Sequence, residues 1–130
     1  MRLKNFSLQY GLPFFKAFSD EARVRILYLI VHWEKMCVSD LELTLEFTQT
    51  KTSRHVTYLK NAGLLYSRQI DQWVFYFVKE EAQDFVNQMF SYLQKDQQLQ
   101  KDLDVSRILY SNRELALNKI EARGWQPQRD

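Results

Sequence analysis

Apolar residues recur every three or four positions along most of the chain, a spacing that predicts amphipathic helices. Three glycines and two prolines in 130 residues leave long stretches without helix breakers, which favours a mainly helical protein. The predicted helices are 5–18, 21–34 after a cap at Ser19 or Asp20, a short helix capped by Ser39 or Asp40, 50–62 after Thr48 or Thr50, and a helical region over 80–123 whose last helix is capped by Asp104 or Ser106 and ends at Gly124.

The third and fourth predicted helices have the outline of a helix-turn-helix. A short turn near Phe47 joins them, and Gly63 follows the second helix, where a left-handed residue commonly ends a helix. Two runs rich in β-branched and aromatic residues, 64–68 and 73–78, come directly afterwards and predict a β-hairpin. The predicted fold is therefore mainly α with a small β-hairpin, a winged helix-turn-helix.

The length of the chain fits a single domain, 1–130. We assign 19–78 to the winged helix-turn-helix core, and 1–18 and 79–124 to long dimerisation helices. The apolar surfaces of the first helix and of residues 82–120 exceed what a winged helix of this size can cover, and two-fold pairing would bury them. The alternative is that the C-terminal helices pack back on their own domain.

The charge of the chain is small, a net +2, but it is unevenly distributed. Residues 47–78 contain four basic residues and one acidic residue, and no carboxylate lies between Glu46 and Asp71. A surface that faces phosphates needs such a stretch, because each carboxylate there would repel the nucleic acid. The charge pattern therefore favours a DNA-binding role for the helix-turn-helix.

Other classes of function are disfavoured by what the sequence lacks. No stretch approaches the ~20 apolar residues of a membrane span, and the N-terminus has no signal-peptide pattern, so we expect a soluble, cytoplasmic protein. There is no glycine-rich phosphate loop and no histidine–carboxylate constellation at plausible catalytic spacing, and Cys37 has no evident base. We therefore expect neither an enzyme nor a bound cofactor.

Three stretches of the chain resemble the ArsR/SmtB-type transcriptional regulators. They are residues 17–27 (AFSDEARVRIL), 48–65 (TQTKTSRHVTYLKNAGLL) and 73–76 (WVFY). These stretches are similar, in order and spacing, to the family's opening motif, its recognition helix and its second wing strand. The resemblance implies a homodimeric winged-helix repressor bound to a two-fold operator in double-stranded DNA.

Two positions depart from the family pattern. Thr52 stands where the family usually has valine, so this inward contact is expected to be weaker or hydrogen-bonded to the helix backbone. The wing tip Asp71-Gln72 lacks the usual glycine, which disfavours a tight type I′ turn and predicts a longer or looser wing.

The predicted recognition helix, 50–62, turns Thr52, Val56 and Leu59 inward, and it enters the major groove with its N-terminal residues at the base edges. Glutamine can pair with adenine there, and arginine can fork onto guanine. The candidates for base edges are Gln49, Thr50, Ser53 and Arg54. The candidates for phosphates are Lys51, Tyr58, Lys60 and Arg68 of the wing at 64–78, and Thr57 completes the predicted DNA-binding set. His55 lies beside the inward face and is interpreted as a packed histidine.

No metal site is expected, because the family's metal-binding positions are not reproduced. The family's Cys-Val-Cys-Asp-Leu motif is Cys37-Val38-Ser39-Asp40-Leu41 here, without the second thiolate that a soft metal needs. The family's other site uses the C-terminal helix, and the two histidines of this chain, His32 and His55, lie elsewhere. A site made of His32, Cys37 and Asp40 is disfavoured, and Cys37 is interpreted as a small, partly buried apolar residue.

The competing hypothesis is a winged-helix protein-interaction module that no longer binds DNA. The C-terminal extension and the weak overall basicity favour this hypothesis. Gln49, Ser53 and Arg54 argue against it, because a module that had lost DNA binding would usually have lost this set.

Overall fold

The computed structural model describes residues 6–124, which form seven α-helices and three short strands. The helices are α1 (Leu8–Ala17), α2 (Glu21–Trp33), α3 (Val38–Leu45), α4 (Gln49–Asn61), α5 (Gln83–Ser91), α6 (Gln97–Ser111) and α7 (Ala116–Ala122). The strands are β1 (Met36–Cys37), β2 (Leu65–Ile70) and β3 (Trp73–Val78), and one 3-10 turn covers Glu80–Ala82. The mainly helical winged helix-turn-helix fold is confirmed. Of the predicted segments, residues 1–5 and 125–130 lie outside the described part of the chain.

None of the helices between residues 6 and 124 is both long enough and apolar enough to cross a membrane.

The centre of the core is α2, whose Ile26, Leu29 and Ile30 are completely buried. Asp20 caps this helix, as its carboxylate accepts the backbone N–H of Arg23 at 3.1 Å. Capping of this kind satisfies one of the N–H groups that a helix leaves without an internal partner. The cap therefore fixes the start of α2 at the residue where the sequence predicts it.

The end of α4 is set by Gly63, which has φ of +92°. The N–H of Gly63 donates to the carbonyl of Lys60, and the N–H of Leu64 donates to the carbonyl of Leu59, both at 3.1 Å. These two bonds form a Schellman motif, in which glycine takes the left-handed conformation without a Cβ penalty. The predicted glycine end of the recognition helix is thus confirmed, and Leu64 turns directly into the core.

The sheet contains one strand more than the predicted hairpin. Its order is β1-β3-β2, with β1 antiparallel to β3 through the pair Met36 and Tyr76. A two-residue strand is too short to show an alternating pattern in the sequence. Its pairing covers the edge of β3 that the hairpin leaves open.

The expectation of a longer or looser wing is wrong. Ile70 pairs with Trp73, so Asp71 and Gln72 form a two-residue turn between six-residue strands. Asp71 has φ of +55°, a conformation that aspartate tolerates better than most residues. The side-chain amide of Gln69 also donates to the carbonyl of Asp71 at 3.2 Å. Glycine is therefore not needed for a tight turn here.

The last predicted helix is divided in the structure into α6 and α7, and the start of α6 also differs from the prediction. Asp96, not Asp104 or Ser106, caps the helix by accepting the N–H of Leu99 at 2.9 Å. The polar run 94–101 concealed this start, because two of the residues that α6 buries, Asp102 and Ser106, are polar and have tertiary partners. The carboxylate of Asp102 accepts two bonds from Arg25 at 2.8 and 3.0 Å, and the hydroxyl of Ser106 accepts the indole N–H of Trp33 at 2.9 Å. These contacts fasten α6 along α2.

The last helix, α7, is held by Asp40. This residue was predicted as a possible cap of α3, but α3 begins at Val38 and its N-cap position is Cys37. The buried Asp40 carboxylate instead accepts the N–H groups of Ala116 at 2.7 Å and Leu117 at 3.0 Å. The first turn of α7 is thereby attached to the helix-turn-helix across more than seventy residues of sequence.

Much of the apolar surface assigned to dimerisation helices lies inside the protomer. Five leucine and isoleucine residues of α6, α7 and the turn between them are buried, and all except Leu103 belong to the core: Leu99, Leu103, Leu115, Leu117 and Ile120. The alternative of packing back is therefore favoured for these two helices. Exposed apolar side chains remain on α1, after α5 and on α6, where Leu8 is 77%, Tyr92 is 74% and Ile108 is 61% exposed.

Replacement of Asp40 tests this long-range cap. Asp40→Ala should lower the free energy of unfolding by about 2–4 kcal/mol, because two buried N–H groups lose their acceptor. Urea unfolding followed by circular dichroism measures the change. Asp104→Ala is the control, because Asp104 is exposed and forms a 3.4 Å ion pair with the exposed Arg107. This replacement should change the free energy of unfolding by less than about 0.5 kcal/mol. A loss no larger than that of the control would contradict the cap.

Candidate nucleic-acid interface

The recognition helix α4 has one buried and one exposed face. Thr52, Val56 and Leu59 are completely buried, as predicted. The hydroxyl of Thr52 donates to the carbonyl of Thr48 at 2.8 Å, which is the backbone hydrogen bond expected for a threonine at this position. Thr48 also caps the helix by accepting the N–H of Lys51 at 3.1 Å. The orientation of α4 is therefore fixed by its buried face and by its cap.

The exposed face carries the residues predicted to read bases. Gln49, Thr50, Arg54 and Thr57 are exposed, and Ser53 is half-buried. Neither Ser53 nor Arg54 is enclosed in the protomer. The polar and cationic side chains of the first two turns thus remain available to a ligand outside the molecule.

A polar recess lies beside the first turn of α4. It encloses about 330 Å³. Its lining includes Asp20, Arg25, Phe47, Lys51, Arg54 and His55. The Lys51 ammonium lies 4.0 Å from the centre of the Phe47 ring, and the Arg25 guanidinium lies 5.2 Å from the same ring. Phe47 therefore holds two cations beside the candidate base-reading residues.

Two predicted phosphate contacts also fasten α4 to its neighbours. The ring of Tyr58 is covered by the guanidinium of Arg23 at 4.0 Å, and the ammonium of Lys60 donates to the hydroxyl of Ser67 at 3.0 Å. Arg23 further donates to the carbonyls of Lys16 and Ala17 at the end of α1. Tyr58 and Lys60 therefore have a structural role besides the phosphate role that the sequence predicts.

The wing places Arg68 on β2, opposite Phe75 of β3. Arg68 is half-buried. Tyr66, two residues earlier, stacks on Phe77 at a ring separation of 5.1 Å. The predicted DNA-binding residues thus lie on two elements, nearly all of them on α4 and Arg68 alone on the wing.

His55 is 7% exposed, in agreement with its interpretation as a packed histidine. Burial lowers the pKa of His55, Asp20 opposes this effect, and the cations of Arg54, Arg23 and Lys51 add to it. Burial also acts against ionisation of Asp20, but the N–H of Arg23 and the nearby positive charges outweigh it, so the pKa of Asp20 lies below its ordinary value. The neutral imidazole is the form of His55 that this environment favours.

Cys37 is 1% exposed, and its sulfur lies 3.2 Å from the hydroxyl of Ser39. Burial, followed by the charge of Asp40, raises the pKa of the Cys37 thiol to about 11. A thiol that ionises so reluctantly is a poor metal ligand and a poor nucleophile. Across residues 6–124, no group of three or more His, Cys, Asp or Glu side chains is arranged to hold a metal ion.

The environment of His55 predicts a dependence of stability on pH. The pKa of His55 is lower in the folded than in the unfolded protein, so the unfolded chain binds more protons as the pH falls from roughly 7 to 5. The free energy of unfolding should therefore decrease over this range. Urea unfolding at several pH values measures the slope.

The comparison is made in a His32→Gln background, because burial and Arg107 also lower the pKa of His32. His55→Gln should reduce the remaining slope between roughly pH 7 and pH 5. Equal slopes with and without His55 would contradict the prediction.

Comparison with known proteins identifies similar sequences. Residues 20–67 match the family model described as bacterial regulatory protein, arsR family. The arsenic resistance transcriptional regulator ArsR1 of Pseudomonas putida is 39% identical over 75 residues, which are 58% of this chain and 59% of that protein. An uncharacterised HTH-type transcriptional regulator of Methanocaldococcus jannaschii, MJ1325, is 36% identical over 67 residues, which cover 52% of this chain and 75% of that protein.

A similar fold is found in the solution structure of Mb0332 from Mycobacterium bovis. That structure is described as a homodimeric winged helix-turn-helix DNA-binding domain, possibly of an ArsR-family transcriptional regulator. The TM-score is 0.57 at 23% identity, over 67% of this chain and 77% of that one. The likeness supports the fold described above.

Proposed function

The chain belongs to the arsR family of bacterial regulatory proteins, and from this premise we propose that it is a transcriptional regulator that binds specific sites in double-stranded DNA. The observation that carries the proposal is the exposed face of α4. Its first two turns present polar and cationic side chains, and no carboxylate occurs from residue 47 to residue 70. The proposed role is binding and not catalysis. We propose that the protein acts in the cytoplasm and represses transcription by occupying an operator.

In the proposed complex, α4 lies in the major groove and β2–β3 forms the wing. Arg54 has the fork geometry that pairs with guanine, and Gln49 has the amide that pairs with adenine. Lys51, which lies over the Phe47 ring, would bind a phosphate at the edge of the major groove. Such a contact fixes the register of the protein on the DNA without reading its sequence. Burial of the opposite face of α4 keeps these side chains in a constant arrangement.

DNA fragments selected from a genome by the purified protein provide the duplex for the test. Arg54→Ala should raise the dissociation constant of a selected duplex by at least about tenfold and relax the preference at one base pair. Lys51→Ala should weaken binding to all duplexes to a similar extent. It should also reduce the magnitude of the slope of the log association constant against log salt by about 1 for each copy bound. Fluorescence anisotropy between roughly 50 and 300 mM KCl measures both effects.

Arg107→Ala is the matched control for these variants. Arg107 is exposed on α6, and its charge acts on His32 in the last turn of α2, at the other end of that helix from Asp20. Its loss should leave the affinity unchanged. Retention of no fragment by the wild-type protein would contradict the proposal and favour a protein-interaction module.

We also propose that the protein acts as a homodimer, paired through α1 and α5. Leu8, Leu12 and Phe15 form a stripe on one face of α1 and are 77%, 45% and 50% exposed. Phe15 packs against Phe85 of α5 at a ring separation of 5.2 Å, so the stripe continues onto that helix. Exposed apolar stripes of this kind mark sites of association. Two-fold pairing would present two copies of α4 to half-sites about one or more DNA turns apart.

Charge introduced into the α1 stripe tests the dimer. The wild-type protein should have twice the 15.7 kDa mass of the chain in light scattering after size exclusion. Leu8→Glu combined with Leu12→Glu should give the monomer mass, because carboxylates cannot be buried between the two stripes at low cost. Leu43→Glu, at a 49% exposed leucine on α3, should remain dimeric. A dimer that survives the double change would contradict this interface.

A further inference from the structure

The tip of the wing carries a charge of the wrong sign for DNA. Asp71 and Gln72 are exposed at the turn between β2 and β3, and in the proposed complex this turn approaches the duplex. A carboxylate in that position repels phosphates. The interaction that offsets this repulsion comes from the other end of the chain.

Helix α7 places two cations beside the wing tip. The guanidinium of Arg123 lies 2.5 Å from the carboxylate of Asp71, and the ammonium of Lys119 lies 5.7 Å from the centre of the Trp73 ring. Lys119 lies on α7, and Arg123, four residues later, is the C-cap residue of this helix. Residues four positions apart lie on the same face of a helix, so the two cations are neighbours at the end of α7. The wing tip and the end of α7 together carry the positive charges of Lys119 and Arg123 and the negative charge of Asp71.

The acidic residue between these cations is turned elsewhere. Glu121 accepts the hydroxyl of Tyr110 at 2.6 Å, on the side that faces α6. It therefore does not neutralise the two cations at the wing. Arg123 contacts Asp71 through one of its terminal nitrogens and remains 60% exposed, so further N–H groups are available to a second anion.

Helix α7 is also held firmly enough to position these charges. Asp40 caps its first turn, Leu117 and Ile120 are buried, and the amide of Asn118 donates to the carbonyl of Tyr110 at 3.0 Å. The helix lies outside the segment that matches the family model, residues 20–67.

We propose that α7 is a third DNA-contacting element, in which Arg123 and Lys119 bind backbone phosphates next to the wing tip. The proposal rests on the proposed function, because it needs the wing to lie against DNA. Arg123 neutralises Asp71 and extends the contact to the flanking backbone. The protein would then cover more DNA on each side than a helix-turn-helix and wing alone.

Salt dependence of binding tests the proposal, with the full chain and a selected duplex. Arg123→Ala combined with Lys119→Ala should reduce the magnitude of the slope of the log association constant against log salt by about 2 for each copy bound. The same double variant should raise the dissociation constant about tenfold for all duplexes alike. Both side chains are exposed, so the thermal midpoint should change little. Arg107→Ala should leave both the slope and the affinity unchanged.

A further variant separates phosphate binding from neutralisation of the wing. If Arg123 only neutralises Asp71, then Arg123→Ala combined with Asp71→Asn should restore the wild-type slope. The proposal expects that slope to stay lowered by about 1. Restoration of the wild-type slope, or no change of slope in the Arg123 and Lys119 variants, overturns the role of α7 while the proposed function stands. Absence of DNA binding by the wild-type protein overturns both.

Discussion

The complete burial of one side of α4 is the constraint on which the rest of the structure depends. Val56 and Leu59 have no exposed surface, and the hydroxyl of Thr52 is satisfied within the helix itself. A helix held in this way cannot rotate without exposing apolar surface or breaking its contacts with α2 and β2. The direction of its polar side chains is therefore determined by the core. The packing of the core therefore also determines which side chains α4 presents on its exposed face.

The C-terminal third of the chain is attached by polar contacts at a few defined points. Arg25 with Asp102, Trp33 with Ser106, and Asp40 with the first turn of α7 each place a hydrogen-bonding group where apolar packing alone would leave the register open. A buried carboxylate without its donors would be costly, so the contacts of Asp102 and Asp40 also select against displaced arrangements. These contacts connect α6 to α2 and α7 to α3.

The parts of the fold that the sequence predicted have local causes. The starts of α2 and α4 follow from side-chain caps, the end of α4 follows from Gly63, and the hairpin follows from aromatic and β-branched runs. The same helical periodicity predicted which side of α4 is exposed. Whether each exposed residue of that side contacts DNA remains a prediction.

The errors arose where partners are distant in the sequence. Asp40 caps a helix whose first turn lies 76 residues further on, and α6 begins in a polar run whose buried members have partners on α2. The pairing of Arg23 with Tyr58 and of Lys60 with Ser67 also depends on how elements meet. No pattern within a single helix carries that information. The tight wing was missed for a different reason, since aspartate replaced the glycine that the turn is usually built on.

The burial of Cys37 has a consequence for how the protein behaves over time. The chain has one cysteine, and its thiol is enclosed at the junction of β1 and α3, beneath the attachment of α7. A reagent can alkylate it only in those moments when this junction opens. The rate of alkylation therefore measures how often this part of the protein opens. The opening that it reports is that of the junction between the C-terminal helices and the helix-turn-helix.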